Sequence, residues 1–108
     1  MTMNSYDLYG LASGDLEELR PLIEKLLGVK FVAHESSYYD GGYYRTGPVG
    51  EENFVLMRNF KDEEGIHHEP FADVEILFYA NRTSKPEQIE SILKSSALKF
   101  RLLSRKQL

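Results

Sequence analysis

Apolar residues follow two rhythms along this chain, and each change of rhythm marks an element. Ser5 to Leu11, rich in tyrosine and leucine, reads as a first strand, punctuated by Gly10 and then Ser13-Gly14. From Asp15 the apolar positions become 16, 19, 22, 23, 26 and 27, one stripe at helical period. Asp15 and Glu18 have capping-box spacing, and Gly28 stands where such a helix would end. Pro21 removes an interior hydrogen bond, so a kink is expected there, or a helix that begins in earnest only around Glu18.

Val29, Phe31 and Ala33 then alternate with Lys30, Val32 and His34, which predicts a strand. It leads into His34-Glu35-Ser36-Ser37-Tyr38-Tyr39-Asp40-Gly41-Gly42-Tyr43-Tyr44-Arg45, a run holding four of the seven tyrosines. Asp-Gly-Gly between two tyrosine pairs suits a tight reversal, because glycine reaches positive φ at little cost, so the run predicts a hairpin. Neighbouring residues of a strand point to opposite faces. One ring of each pair can therefore face a core while the other stays exposed.

Thr46 to Asn53 is a loop by composition, and Phe54 to Phe60 is a strand with apolar residues on both faces, which places it centrally. Lys61 to Gly65 reads as a charged turn, and Ile66 to Pro70 as an irregular connection that Pro70 keeps from pairing in full. Phe71 to Ala80 is the most hydrophobic strand, again central, interrupted by Asp73 and Glu75 near its start. Asn81 to Ser84 breaks the pattern. Ser84 with Glu87 forms a second capping box, Pro86 fits the first turn, and Ile89, Ile92 and Leu93 supply the apolar face of a second helix. Leu98, Phe100 and Leu102 alternate with Lys99 and Arg101, a last strand whose basic outer face suits a sheet edge.

The order is β-α-β-β-β-β-α-β if the tyrosine hairpin contributes both arms, or one strand fewer if those arms extend their neighbours. Helices early and late around a run of strands predict one α+β domain over residues 1–108, a length that suits a single core. The expected architecture is a single antiparallel or mixed sheet with two helices packed on one face. A ferredoxin-like arrangement with an inserted hairpin is one specific form.

Charge sharpens this picture. The net charge is −4, but residues 35–75 hold ten carboxylates against Arg45, Arg58 and Lys61, a balance of −7, while the last ten residues carry Lys99, Arg101, Arg105 and Lys106 and no acid. An acidic middle repels nucleic acid and draws a basic protein partner. The absence of cysteine excludes disulfides, thiolate zinc sites and thiol nucleophiles, and makes a reducing cytosol the simplest home. Neither a signal-like start nor an apolar run of membrane-spanning length is present, so neither export nor membrane insertion is expected.

Catalytic chemistry finds little support. His67 and His68 are adjacent and point apart on an extended chain, so they cannot readily share a metal, although one of them with Glu69 and a distant carboxylate stays open beside a solvated loop. His34-Glu35 lacks a visible cleft, Ser36-Ser37 lacks a strand-turn-helix elbow, and the glycines at 41, 42, 47 and 50 do not open a helix as a phosphate cradle would. No catalytic residue, metal or cofactor is expected. The tyrosines could stack on bases, but Glu35, Asp40, Glu51 and Glu52 surround a single arginine and would repel a phosphate backbone. A protein interface and a simple cover for the sheet both remain open.

Several of these stretches occur together in a familiar way. A helix ending in Leu27-Gly28-Val29, then Phe31, His34-Glu35-Ser36-Ser37-Tyr38, Gly41-Gly42-Tyr43-Tyr44, Phe54 and Leu56, Asn59, and a strand closing on Asn81 and Thr83 before a helix span nearly the whole chain. Together they resemble small bacterial immunity proteins of polymorphic or contact-dependent growth-inhibition toxin systems. The resemblance implies a cytoplasmic, non-enzymatic inhibitor used in bacterial competition. Such a protein binds the toxin domain of a larger exported protein, often a nuclease, and blocks its active site or substrate path. On that reading Glu35, Tyr38, Tyr39, Asp40, Tyr43, Tyr44 and Arg45 of the hairpin, with Glu51, Glu52, Asp62, Glu63 and Glu64 of the following loops, meet a basic toxin surface. A small-molecule-binding regulatory domain, with a pocket between sheet and helices, is the alternative, and a small hydrolase using His34 or His67 is a third.

Overall fold

The leucine stripe forms helix α1, Leu16–Leu27, in a computed structural model that describes residues 4–34, 43–47, 51–59, 61–62, 65–66, 74–96 and 98–107. The Asp15 carboxylate accepts the Glu17 N–H at 2.8 Å, satisfying one of the donors that a helix start leaves unpaired. Gly28 ends the helix at φ 68°, a left-handed geometry that glycine takes without steric cost. The expected helix is therefore present, as one element through an exposed Pro21.

Strands β1 (Ser5–Leu11), β2 (Val32–His34), β3 (Tyr43–Thr46), β4 (Asn53–Arg58), β7 (Ile76–Thr83) and β8 (Arg101–Gln107) make one sheet in the order β2-β3-β4-β7-β1-β8, antiparallel throughout. A separate two-stranded ribbon, β5 (Lys61–Asp62) and β6 (Gly65–Ile66), lies in sequence between β4 and β7. Helix α2 (Pro86–Ser95) precedes β8. The architecture is α+β, with a single main sheet and both helices on one face, because Leu16, Leu19 and Ile23 of α1 and Ile89 and Leu93 of α2 join the same core. If β2 and β3 count as an added hairpin, the other strands of the main sheet follow, with the helices, the β-α-β-β-α-β order of a ferredoxin-like fold.

Register explains which residues form that core. Ala33, Tyr44, Leu56, Phe78, Tyr9 and Leu102 stand opposite one another across all six strands on the helix-covered face. Phe78, fully buried, is the middle of this row. Its ring stacks on Phe54 at 5.9 Å and meets Tyr9 and Phe100 at tilted angles, both at 6.1 Å. Such aromatic contacts add to the area that the rings bury.

Several boundaries differ from the sequence reading. β2 is only Val32–His34, preceded by a buried Phe31 whose N–H is held by the Glu24 carboxylate at 2.7 Å. β7 begins at Ile76 and runs on through Asn81, Arg82 and Thr83, which composition reads as a break. Pairing with β1 shifts by one residue there, with Arg82 at φ 51°, so the apparent break is a β-bulge that turns Thr83 back into the interior. Lys85, not Ser84, caps α2, without a side-chain bond; the Thr83 hydroxyl accepts the Lys85 N–H instead. The charged turn after Lys61 is the β5–β6 ribbon, and the last strand is Arg101–Gln107, displaced into the basic tail. The central placing of β4 and β7 and the edge placing of β8 match expectation.

Candidate functional site

The second face of the sheet carries no helix among the described residues, yet it is not polar. Val32, Arg45, Val55, Tyr79, Leu8 and Ser104 form one row across it, and Tyr43, Met57, Leu77, Gly10 and Arg101 the next. Leu8, Met57, Val74 and Leu77 are buried here, and Tyr43, Val55, Tyr79 and Leu103 pack against them half-buried. Tyr43 and Tyr44 thus point to opposite faces, as alternation requires. Neither is simply core or simply exposed: both are half-buried.

Tyr44 lies on the helix side. Its hydroxyl donates to the Glu17 carboxylate of α1, and the Arg20 guanidinium sits 5.3 Å from its ring centre. The nearby carboxylate acceptor pushes the Tyr44 hydroxyl above its ordinary pKa, because ionisation would set two negative groups together. Tyr43 occupies the other face, at the end of β3 that adjoins residues 35–42. Pairing of β2 with β3 makes these strands a hairpin in topology, while Glu35, Tyr38, Tyr39 and Asp40, with the reversal itself, lie outside the described residues.

Arg45, Glu51 and Glu52 sit toward the opposite end of the sheet. Gly47 turns the chain there at φ 89°, and any Cβ at this position would come within 2.4 Å of the Glu52 carbonyl. The Arg45 Nε–H reaches the Gly47 carbonyl at 3.4 Å. Glu51 is exposed, but Glu52 accepts the Thr83 hydroxyl at 2.6 Å, so its carboxylate already serves the β4–β7 junction. Asp62 belongs to the backbone ladder of β5; its side chain, like Glu63 and Glu64, lies outside the described residues.

Topology nevertheless brings the anchors of two acidic connections to one place. β2 ends, β3 begins, β4 ends and β7 begins at one end of the sheet, as the pairs His34↔Tyr43, Tyr43↔Met57 and Arg58↔Ile76 show. The connections 35–42 and 59–75 therefore leave from and return to that same end. Asn59 closes the base of the longer one: its N–H donates to the Glu75 carbonyl at 2.8 Å and its side-chain amide to the Val74 carbonyl at 2.9 Å. The strand expected over Phe54 to Phe60 includes Asn59, but nothing local in the sequence marks it as the residue that clamps this connection. The loop holding Glu51 and Glu52 is about 17 Å away, the length of β4 at roughly 3.4 Å per residue.

A second polar cluster is structural. The fully buried Asp7 carboxylate accepts the Ser5 hydroxyl at 2.6 Å, the Tyr9 hydroxyl at 3.4 Å, and the Arg105 guanidinium through Nη2 at 2.8 Å and Nε at 3.1 Å. Arg105 Nη2 continues to Glu90 of α2 at 3.0 Å. Hydrogen bonds from Lys94 and Arg105 hold the Glu90 carboxyl below its ordinary range, and burial, with Asp7 nearby, pushes the Tyr9 phenol well above 10. The signs set two pH limits. Glu90 adds stability that is present above its unfolded value of about 4.3 and is lost as pH falls through its folded value. Tyr9 adds stability that is present below about pH 10 and lost as pH rises toward its folded value. Urea midpoints between pH 9 and about 11 should therefore fall more steeply for the wild type than for Tyr9→Phe. Equal slopes would show that Tyr9 does not set the alkaline limit.

At the end of α1 a cavity of about 400 Å³ is lined by Leu11, Leu19, Leu22 and Leu98, with Asp15, Glu18 and Lys99 among its polar members. None of the Asp7 cluster reaches it. Among the described residues no three histidines or carboxylates are grouped to hold a metal ion, and no helix is long and apolar enough to cross a membrane. Comparison with family models, curated protein sequences and solved structures returns no match.

Proposed function

We propose that this chain is a cytoplasmic, non-enzymatic immunity protein that binds a cognate bacterial toxin domain and neutralises it by covering its active site or the path of its substrate. The observation that supports this most is the convergence of connections 35–42 and 59–75 on one end of the sheet. Together they carry Glu35, Asp40, Asp62, Glu63, Glu64, Glu69, Asp73 and Glu75 against the single cation Lys61. Tyr43 stands at that end, a ring that can bury area against a partner at small entropic loss. Acidic connections of this kind suit a basic toxin surface such as one that binds phosphate, and like charge makes nucleic acid itself a poor ligand.

Affinity capture with the tagged full chain against recombinant toxin domains of growth-inhibition systems tests the reading. A retained toxin domain should bind in the nanomolar range, lose affinity as salt rises, and lose toxicity in cells that express this chain. Tyr43→Ala should weaken the complex by about tenfold or more while the domain stays folded, with a melting temperature lowered only by the loss of one half-buried ring. Folded protein that retains and neutralises no toxin domain would count against the reading. The cavity beside α1 supports a second one, a small-molecule-binding regulatory domain, which predicts thermal stabilisation by a metabolite.

A further inference from the structure

We propose that the outer edge of β8 docks an extended acidic strand from another protein, which joins the sheet beyond its present six strands. This goes beyond the immunity reading and concerns a different part of the molecule. β8 ends the sheet, and among the described residues no strand pairs with its outer side. On either side of the bulge at Leu103, where pairing with β1 slips by one residue, alternate N–H and C=O groups of this edge point outward, a template for main-chain pairing. The other edge, β2, has three residues, whereas β8 has seven.

β8 is also held firmly from behind. It pairs with β1 from Ser5 to Gly10, and Arg105 ties it to Asp7, to Glu90 and to the Pro86 carbonyl. An incoming strand therefore meets an ordered template, which lowers the entropy lost on docking.

Charge decides the occupant. Lys99, Arg101 and Lys106 are exposed on or beside this strand, and register sets Arg101 opposite Gly10 and Lys106 opposite Tyr6, on the open face of the sheet. Like charges set opposite each other across two strands destabilise the pair, and opposite charges stabilise it. Antiparallel pairing of β8 with a second copy would bring Arg101 to within one position of that copy's Lys106, so the same residues that disfavour self-association favour carboxylates. Leu102, half-buried on the helix side, asks for an apolar neighbour. The fitting partner is an extended segment with carboxylates on one face and apolar residues on the other.

The test uses the full chain and a labelled peptide alternating glutamate with valine, matched to β8 in length. Two control peptides accompany it, one with lysine for glutamate and one with alternate backbone amides N-methylated. Anisotropy titration should show saturable binding of the glutamate peptide, with amide shifts and slowed exchange centred on residues 101–107. The lysine peptide and the Arg101→Glu, Lys106→Glu double variant should each bind at least about tenfold more weakly, and the N-methylated peptide should not bind. Circular dichroism checks that the double variant folds. The proposal is overturned by no binding of the glutamate peptide at millimolar concentration, by equal binding of either control, by amide shifts located elsewhere, or by a dimer already paired through β8 without peptide.

Discussion

Arg105→Ala should destabilise the domain by about 3–5 kcal/mol, measured as the loss of unfolding free energy in guanidinium titrations. The guanidinium is the only cation paired with the Asp7 carboxylate among the described residues, and that carboxylate has no solvent exposure. Removing it leaves a buried anion beside the Ser5 and Tyr9 hydroxyls, which donate hydrogen bonds but carry no positive charge. At roughly 4–8 °C per kcal/mol for a domain of this size, the melting point should fall by well over 10 °C. The contrast is Lys94→Ala. Lys94 makes an ion pair with Glu90 at 3.2 Å, but its side chain is 72% exposed, and surface pairs of that kind contribute about 0–1 kcal/mol. A loss of less than about 1 kcal/mol for Arg105→Ala, in line with a surface pair, would show that the Asp7 carboxylate does not depend on the arginine.

Phe78→Ala should cost a similar amount, about 3–5 kcal/mol, for a different reason. No charge is stranded; a ring in contact with Phe54, Tyr9 and Phe100 is replaced by a void that a sheet flanked by two helices cannot close. Tyr79→Ala, one residue on and pointing to the opposite face, removes a ring that is only half-buried, so its cost should be clearly smaller. Equal losses in urea titrations would mean that the second face is packed as tightly as the first.

Local pattern carried much of the architecture. The stripe from Leu16 to Leu27 is a helix because its period is helical and both its caps are coded by adjacent residues, Asp15 and Gly28. β4 and β7 are central because apolar residues occupy both their faces, and the lysines and arginines near β8 match its place at an edge. What local pattern missed depends on partners distant in sequence. Asn81 and Thr83 read as loop residues, yet in the sheet Asn81 donates to Asn53 at 3.1 Å and Thr83 to Glu52, so their polar groups are satisfied inside a strand. Arg105 reads as a solvated tail charge until β1 and β8 lie side by side. The candidate site was legible in part. Alternation sets Tyr43 and Tyr44 on opposite faces, but the tie from Tyr44 to Glu17 and the clamp by Asn59 need the folded chain. Glu51 and Glu52, grouped by composition with the other acids, are set apart by the length of β4.

The order of strands in space also bears on synthesis. Among the described strands β1 is made first, and its two neighbours, β7 and β8, are made last. Its hydrogen-bonding edges and the Asp7 side chain thus wait, on a growing chain, until residues as far on as Arg105 have left the ribosome. Contacts of such long sequence separation form late and slow folding. During that wait an incomplete chain exposes unpaired strand to whatever surrounds it, the condition under which chaperones are recruited. Completion of this sheet therefore waits on the emergence of the basic strand β8.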